Sequence, residues 1–148
     1  MLKPASLQHA FDLWFSGDPA FRPIDDEKER TRLMAQARET GDLSSILVEG
    51  ERPTFFKCRP LRSSVFRKLV DKVTAGKIGQ VEASAIAFRS ALVGVQNLGD
   101  VEIKMIRDDE FGEMAKADIV DMLDGINPAI VSELGAILID RAVSPGPK

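Results

Sequence analysis

The spacing of apolar residues predicts a chain built mainly of helices. Apolar side chains recur every three or four positions in a helix and at every second position in a strand. Helices are predicted, in chain order, at 6–16, about 26–40, 65–75, 81–98, 115–123 and 128–142. Asp25 or Asp26 would cap the second of these and Gly41 would end it. The segment 81–98 is apolar on almost every side, which is typical of a central helix.

Shorter segments predict strands. Residues 45–49 and 54–59 are rich in β-branched and aromatic residues, and the turn residues Gly50 and Pro53 lie between them, which indicates a β-hairpin. Residues 101–106 alternate apolar and charged side chains and predict a third strand. The predicted fold class is therefore α+β: mostly helical, with about five or six helices and a small two- or three-stranded antiparallel sheet.

The chain length favours one domain. With 148 residues, we assign 1–143 to a single globular domain and 144–148 to a flexible tail. The first helix, within 1–22, has an apolar stripe with two interpretations: it packs on the chain's own core, or it docks separately into a partner. No apolar run is long enough for a leader peptide or a membrane span. We therefore expect a cytoplasmic protein that does not contact membranes.

Charge is distributed unevenly along this chain. Residues 51–77 contain eight Lys or Arg and two acidic residues, whereas 100–140 contain eleven Asp or Glu and three basic residues. Opposite potentials steer and orient protein encounters, so we expect docking to other proteins and a homo-oligomer. Phe55 would be the apolar anchor of this contact. The residues assigned to partner binding are Phe55, Lys57, Arg59, Arg62, Arg67, Lys68, Asp108, Asp109, Glu110, Asp118 and Asp121.

No residue pattern indicates catalysis. Nucleophilic catalysis needs a nucleophile, a base and an orienting group, and the chain has one histidine, His9, and one cysteine, Cys58. A single cysteine also excludes a thiolate zinc site. The paired carboxylates fit exposed helix faces, and no phosphate-binding glycine motif occurs. We expect no enzyme activity and assign no catalytic, cofactor-binding or metal-binding residue.

One turn supports an alternative function. Gly76, Lys77 and Gly79 belong to the sequence GKIG between two predicted helices. A GxxG turn in this setting resembles the loop with which KH modules clamp a nucleic-acid backbone. The neighbouring basic residues would attract phosphates, whereas the acidic last third would repel them. Nucleic-acid binding is the alternative prediction, ranked below protein binding.

From the predicted hairpin onward, the chain resembles the small tail assembly chaperones of tailed bacteriophages. The resemblance lies in the order and texture of four segments: PTFFKCRPLRSS, VFRKLVDKV, ALVGVQNLGD and NPAIVSELGAILI. It implies a holdase that coats the tape-measure protein, recruits tail-tube subunits and has no catalytic residues. A small virion protein at the tail or head–tail junction is the related alternative. The resemblance places the protein in the host cytoplasm or the virion.

Overall fold

The fold is α+β, as predicted. A computed structural model of the chain describes residues 10–143. These residues form five helices, a three-stranded sheet and a two-stranded sheet, and both sheets are antiparallel. Contacts divide them into two compact units, 14–54 and a second unit made of 10–13 with 55–143. Residues 6–9 of the predicted first helix and the predicted tail lie outside the described residues.

Strands and helices are mixed along the described part of the chain. They are β1 (Phe11–Leu13), α1 (Glu27–Thr40), β2 (Phe55–Cys58), α2 (Ser63–Thr74), α3 (Gln80–Ala91), β3 (Leu92–Gln96), β4 (Met105–Asp108), β5 (Gly112–Ala115), α4 (Asp118–Ile126) and α5 (Ala129–Val143). The three-stranded sheet has the order β1-β2-β3, and β4 and β5 form a separate hairpin.

The unit at 14–54 is organised around α1. The Asp26 carboxylate accepts hydrogen bonds from two N–H groups of the first turn, and Gly41 ends the helix at a φ of 77°. Both caps are as predicted. The rings of Trp14 and Phe21 pack edge to face, 4.9 Å apart. The helix contributes the buried residues Leu33, Met34 and Ala37 to this core.

The predicted hairpin of 45–49 with 54–59 is wrong. The backbone at 43–47 turns, with the N–H groups of Ile46 and Leu47 both donating to the carbonyl of Leu43. The Ile46 side chain is fully buried within this turn. The apolar residues of this segment are there because the turn is buried in a small core. β propensity alone does not distinguish a buried turn of this kind from a strand.

Strand β2 instead pairs with β1 and β3. Leu13 of β1 lies opposite Phe56, and Cys58 lies opposite Phe11. The predicted first helix is therefore wrong for its described part. Phe11 and Leu13 also fit the two-residue period of a strand, and this part of the chain forms a strand paired with β2. The side chains of β2 alternate between two faces: Phe56 and Cys58 are buried and Lys57 is exposed.

The predicted central helix is too long. Helix α3 ends at Ala91, and Leu92 already has an extended backbone with a ψ of 127°. The following LVGVQ pairs with β2 as β3. Its β-branched residues fit a sheet position next to β2, and this tertiary pairing outweighs the apolar continuity of the sequence.

Three further boundaries differ from prediction. The strand at 101–106 is shifted to β4. Ala115, predicted as the start of the next helix, is the last residue of β5, and the helix starts only at Asp118. Arg62 occupies the N-cap position of α2, where no side chain caps the helix. Helix α2 was predicted from residue 65 but starts at Ser63, so Ser63 and Ser64 are both inside its first turn.

Helices α3 and α5 form the most extensive contact between elements. Gly135 of α5 lies against the backbone of Ser84 in α3, and no room remains for a Cβ atom there. Small residues permit close approach of helix backbones, and Ala83, Ala87 and Ala91 of α3 are all buried. Strand β5 packs against α3, and the ring of Phe88 in α3 contacts the ring of Phe56 in β2.

Candidate interaction surface

The basic middle stretch and the acidic last third meet in the folded chain. Arg62, which precedes α2, donates hydrogen bonds of 2.8 Å from Nη2 to the carbonyls of Phe111 and Glu113. Arg89 of α3 donates a 2.8 Å hydrogen bond from Nε to the carbonyl of Ala115. Arginine side chains therefore satisfy the outer-edge carbonyls of β5 at Glu113 and Ala115, which lack a strand partner on that side.

The tip of the β4–β5 hairpin is also held by α2. Lys72 forms an ion pair of 2.9 Å with the Glu110 carboxylate, and Lys68 donates a hydrogen bond to the Glu110 carbonyl. Arg59 lies 3.9 Å from Glu113, with its side chain only 14 % exposed. Several of the charges predicted to form separate opposite surfaces are thus adjacent and partly paired within one chain.

Arg62 is partly buried and lies close to other arginines. Burial lowers the pKa of Arg62, and the nearby charges of Arg59 and Arg107 lower it further, whereas Glu113 raises it. The buried Nε and Nη2 of Arg59 make no hydrogen bond within the described chain. Arg59 therefore depends on electrostatic contact with Glu113 rather than on a hydrogen bond.

The turn of the hairpin explains one acidic residue. Asp108 Oδ2 accepts hydrogen bonds of 2.9 Å from the N–H groups of Glu110 and Phe111. Gly112, the first residue of β5 after the three-residue loop 109–111, has a φ of 79°, a left-handed conformation that favours glycine. These hydrogen bonds lower the pKa of Asp108. The Asp108 carboxylate therefore stabilises the turn. Sequence analysis missed this role, although the sequence DDEFG contains the aspartate and glycine that are typical of a turn.

The predicted partner-binding residues fall into two groups. Arg59, Arg62, Lys68, Asp108 and Glu110 have the contacts within the chain described above. The others are half-buried in the case of Phe55 and exposed in the remaining cases: Lys57, Arg67, Asp109, Asp118 and Asp121. The exposed group is spread over β2, α2, the hairpin tip and α4, so these residues do not form one compact cluster around Phe55.

Lys57 lies in the middle of the outer face of the three-stranded sheet. Asp12 is its partner in β1, and Gly94 is its partner in β3. An opposite charge directly across an antiparallel pair favours the strand pairing. A side chain at Gly94 would contact the Lys57 stem at 3.7 Å. Lys57 is thus accessible, and an acidic residue lies directly across the strand pair from it.

Two open clefts flank the hairpin. One, of about 380 Å³, lies between the start of α2 and the hairpin and is lined by Arg62, Ser64, Lys68, Arg107 and residues 108–112. The other, of about 310 Å³, continues along α2 and is lined by Lys68, Asp71, Lys72, Ala75, Lys77 and Glu110. Both clefts combine cations with carboxylates, so neither presents a single sign of charge.

The GKIG turn connects α2 and α3 within a strand–helix–helix–strand unit. Gly76 has a φ of 72°, and Gly79 is the extended N-cap of α3, which no side chain caps. Open space surrounds both glycines. Lys77 is exposed, and Ile78 packs against the core that contains Val65 and Leu69. The turn is accessible at three positions and anchored at one.

The outward face of α4 joins acidic and apolar side chains. Asp118, Asp121 and Asp124 lie three residues apart along one side, and all three are exposed. Beside them, Met122 and Ile126 are separated by one turn and are 36 % and 60 % exposed. Sequence analysis identified Asp118 and Asp121 but missed the two apolar residues. Only the docking of Ile119 and Leu123 shows which side of the helix is covered.

Cys58 lies on the buried face of β2. Burial is the main reason that its pKa is raised, to about 12, with smaller and opposing effects from Arg141 and Asp12. The thiol is therefore protonated at neutral pH. Within residues 10–143, no group of three or more His, Cys, Asp or Glu is arranged to hold a metal ion.

Comparisons with known proteins give no relative. No family model matches the chain, no curated protein matches it, and no solved structure matches its fold. In the described part of the chain, no single helix is long and apolar enough to cross a membrane; α4 and α5 would reach that length only as a pair bent by 120°.

Proposed function

We propose that this protein is an assembly factor that works by binding other proteins, of the kind represented by tail assembly chaperones or small virion proteins of tailed bacteriophages. It would act in the host cytoplasm or as part of the virion. The sequence resemblance supports the class of protein. The outward face of α4 is the single structural observation that carries protein binding.

The chemistry of this face defines the partner. Met122 and Ile126 would bury apolar area against a client, and exposed apolar groups flanked by charges are typical of binding sites. Asp118 and Asp121, with Asp124, would favour a client with basic residues next to its apolar ones. None of these three carboxylates forms an ion pair within the described residues, so they are available to a partner.

A holdase assay tests this proposal. The full chain should suppress the light scattering of thermally unfolding citrate synthase, used here as a generic client. The double variant Met122→Ser with Ile126→Ser should lose this suppression, because it removes the apolar stripe and leaves the aspartates. Val70→Ser is the matched control, since Val70 on α2 is 44 % exposed and lies outside α4. A chain without suppression, or a double variant as effective as the control, would contradict the proposal.

Nucleic-acid binding is the second candidate function, and the exposed GKIG turn is the observation that favours it. The free N–H groups at the start of α3 and the nearby Lys77 suit a phosphate. Fluorescence anisotropy with a labelled single-stranded RNA at low salt is the direct measurement. Gly79→Asp should abolish binding without backbone strain, because Gly79 has a negative φ and open space around it. An unchanged affinity in this variant, or no binding by the wild type, would exclude the turn.

A further inference from the structure

The outer edge of β4 is open for strand pairing. Lys116 donates a 2.7 Å hydrogen bond to the carbonyl of Lys104, which marks Lys104 and Lys116 as a hydrogen-bonded pair. The register then alternates, so Ile106 and Asp108 also direct their backbone groups towards β5. The N–H and C=O groups of Met105 and Arg107 therefore point away from β5. Among the described residues, no strand pairs with that edge.

The side chains along this edge are exposed as well. Met105 is 39 % exposed and Ile106 is 38 % exposed, and Lys104 and Arg107 are also exposed. The opposite edge of the hairpin, on β5, is covered by Arg62 and Arg89. Proteins normally cover or block edge strands because a free edge can pair with another chain. One edge of this hairpin is thus covered, whereas the other carries no arginine cover and no proline.

We propose that β4 pairs antiparallel with β4 of a second copy of this chain, with Ile106 on the two-fold axis. Only residues whose backbone groups point outward can form the hydrogen-bonded pairs. This requirement leaves three registers close to the strand centre: Met105 opposite itself, Arg107 opposite itself, or Met105 opposite Arg107 of the second copy.

Charge selects the third register. It places Lys104 opposite Asp108 of the second copy twice, and Ile106 opposite Ile106, all on one face of the joined sheet. Opposite charges and apolar pairs directly across an antiparallel ladder are favourable. The register with Arg107 opposite itself would place like charges together, and the register with Met105 opposite itself would place Lys104 against Ile106. This register alone gives a favourable pair at every position on that face.

This interface rests on β4 alone and is independent of the proposed client surface on α4. Either one can fail without affecting the other, since holdase activity tests α4 and self-association tests β4. A four-residue edge buries little area, so the dimer is expected to be weak, with a Kd on the order of 100 μM. Sedimentation velocity of the full chain over a wide concentration range measures it.

Disulfide trapping tests the register. The variant Ile106→Cys would place two thiols across a non-hydrogen-bonded pair on the two-fold axis, where Cα atoms are about 4.5 Å apart. Under a glutathione redox buffer, it should form a covalent dimer. Arg107→Cys is the matched control, because in this register the two thiols would be more than about 7 Å apart. The native Cys58 is buried and does not interfere.

Two further variants test the edge itself. Met105→Pro removes one outward N–H but leaves the hydrogen bonds to β5, so it should abolish association while circular dichroism stays unchanged. Lys104→Glu should weaken the dimer about tenfold at low ionic strength, because it creates two like-charge pairs with Asp108.

The proposal is overturned by any of four results. The wild type could sediment as a monomer at every concentration, or Ile106→Cys could form no more dimer than Arg107→Cys. Association that persists in both Met105→Pro and Lys104→Glu would place the contact elsewhere. A co-purified peptide or other protein bound along β4 would also refute a second copy as its occupant.

Discussion

The close crossing of α3 and α5 gives the sharpest stability prediction. In Gly135→Ala, the added Cβ would lie 2.6 Å from the carbonyl carbon of Ser84 and closer still to its oxygen. Ordinary contacts of this kind are about 3.4 Å or longer, so the helices must separate by roughly 1 Å. A gap of about 1 Å forfeits a quarter to a half of the dispersion energy of the affected contacts.

The size of the effect follows from two opposing terms. Overpacking typically costs about 1–3 kcal/mol, and here the upper part of that range applies because both clashing groups are backbone. Alanine regains about 1 kcal/mol of helix propensity over glycine. We expect a net loss of about 2 kcal/mol in the free energy of unfolding, measured by urea denaturation followed by circular dichroism.

Gly125→Ala is the matched control for this prediction. Gly125 lies in α4, and a Cβ there would meet nothing within 4 Å. The same substitution should therefore leave stability unchanged or raise it by up to about 1 kcal/mol. If Gly135→Ala proved as stable as Gly125→Ala, the two helices would not be in contact at Gly135.

Three other expectations follow from the contacts within the unit that contains β4 and β5. Arg62→Met should cost about 1–3 kcal/mol, because it leaves two hairpin carbonyls without their charged donor, and amide exchange across β4 and β5 should accelerate. Because the pKa of Asp108 is lower in the folded chain, its carboxylate stabilises the fold above the unfolded pKa, and this contribution is lost as the pH falls through the folded pKa. In Asp108→Asn, the free energy of unfolding should therefore fall less steeply at acidic pH. Cys58 should resist alkylation by iodoacetamide at pH 8 until the protein unfolds, and equal alkylation rates in native and unfolded protein would contradict its burial. The free energy of unfolding should also decline as the pH rises from about 9 towards 12, because the thiol ionises at a lower pH in the unfolded chain than in the folded one.

Elements with strong local signals were predictable from the sequence. Helix α1 has an aspartate at its start and a glycine at its end, and both act through backbone geometry within a few residues. The alternation of β2 was also predictable, because a period of two assigns Phe56 and Cys58 to one face whatever strand lies beside it. These signals do not depend on distant parts of the chain.

Elements that depend on distant partners were not predictable in the same way. Phe11–Leu13 becomes a strand because β2 lies beside it, more than forty residues later. The LVGVQ segment continues the apolar pattern of α3, yet it leaves the helix to pair with β2 on the other side. In both cases a tertiary hydrogen-bond ladder outweighs a local preference that either structure could satisfy.

Prediction from the sequence was limited in the same way for the charged residues of the candidate surface. Sequence spacing correctly separated a basic stretch from an acidic one, but it gave no information on whether they face each other. The hairpin at 105–115 folds back onto α2. Arg62 therefore donates hydrogen bonds to the carbonyls of Phe111 and Glu113, and Lys72 forms an ion pair with Glu110. Clustered opposite charges in a short chain therefore indicate internal docking as readily as docking to a partner.

The internal pairing decides which substitutions can report on partner binding. Reversing Arg62 would release the hairpin, so a loss of binding in that variant would reflect altered structure as much as altered encounter. Arg67 is exposed on α2 and Asp121 is exposed on α4, and neither has a contact within the described chain on which the hairpin depends. Charge reversal at these two positions changes the long-range field while leaving the fold intact. A salt-dependent association that responds to them, and not merely to Arg62, is therefore the signature of a surface that acts on other molecules.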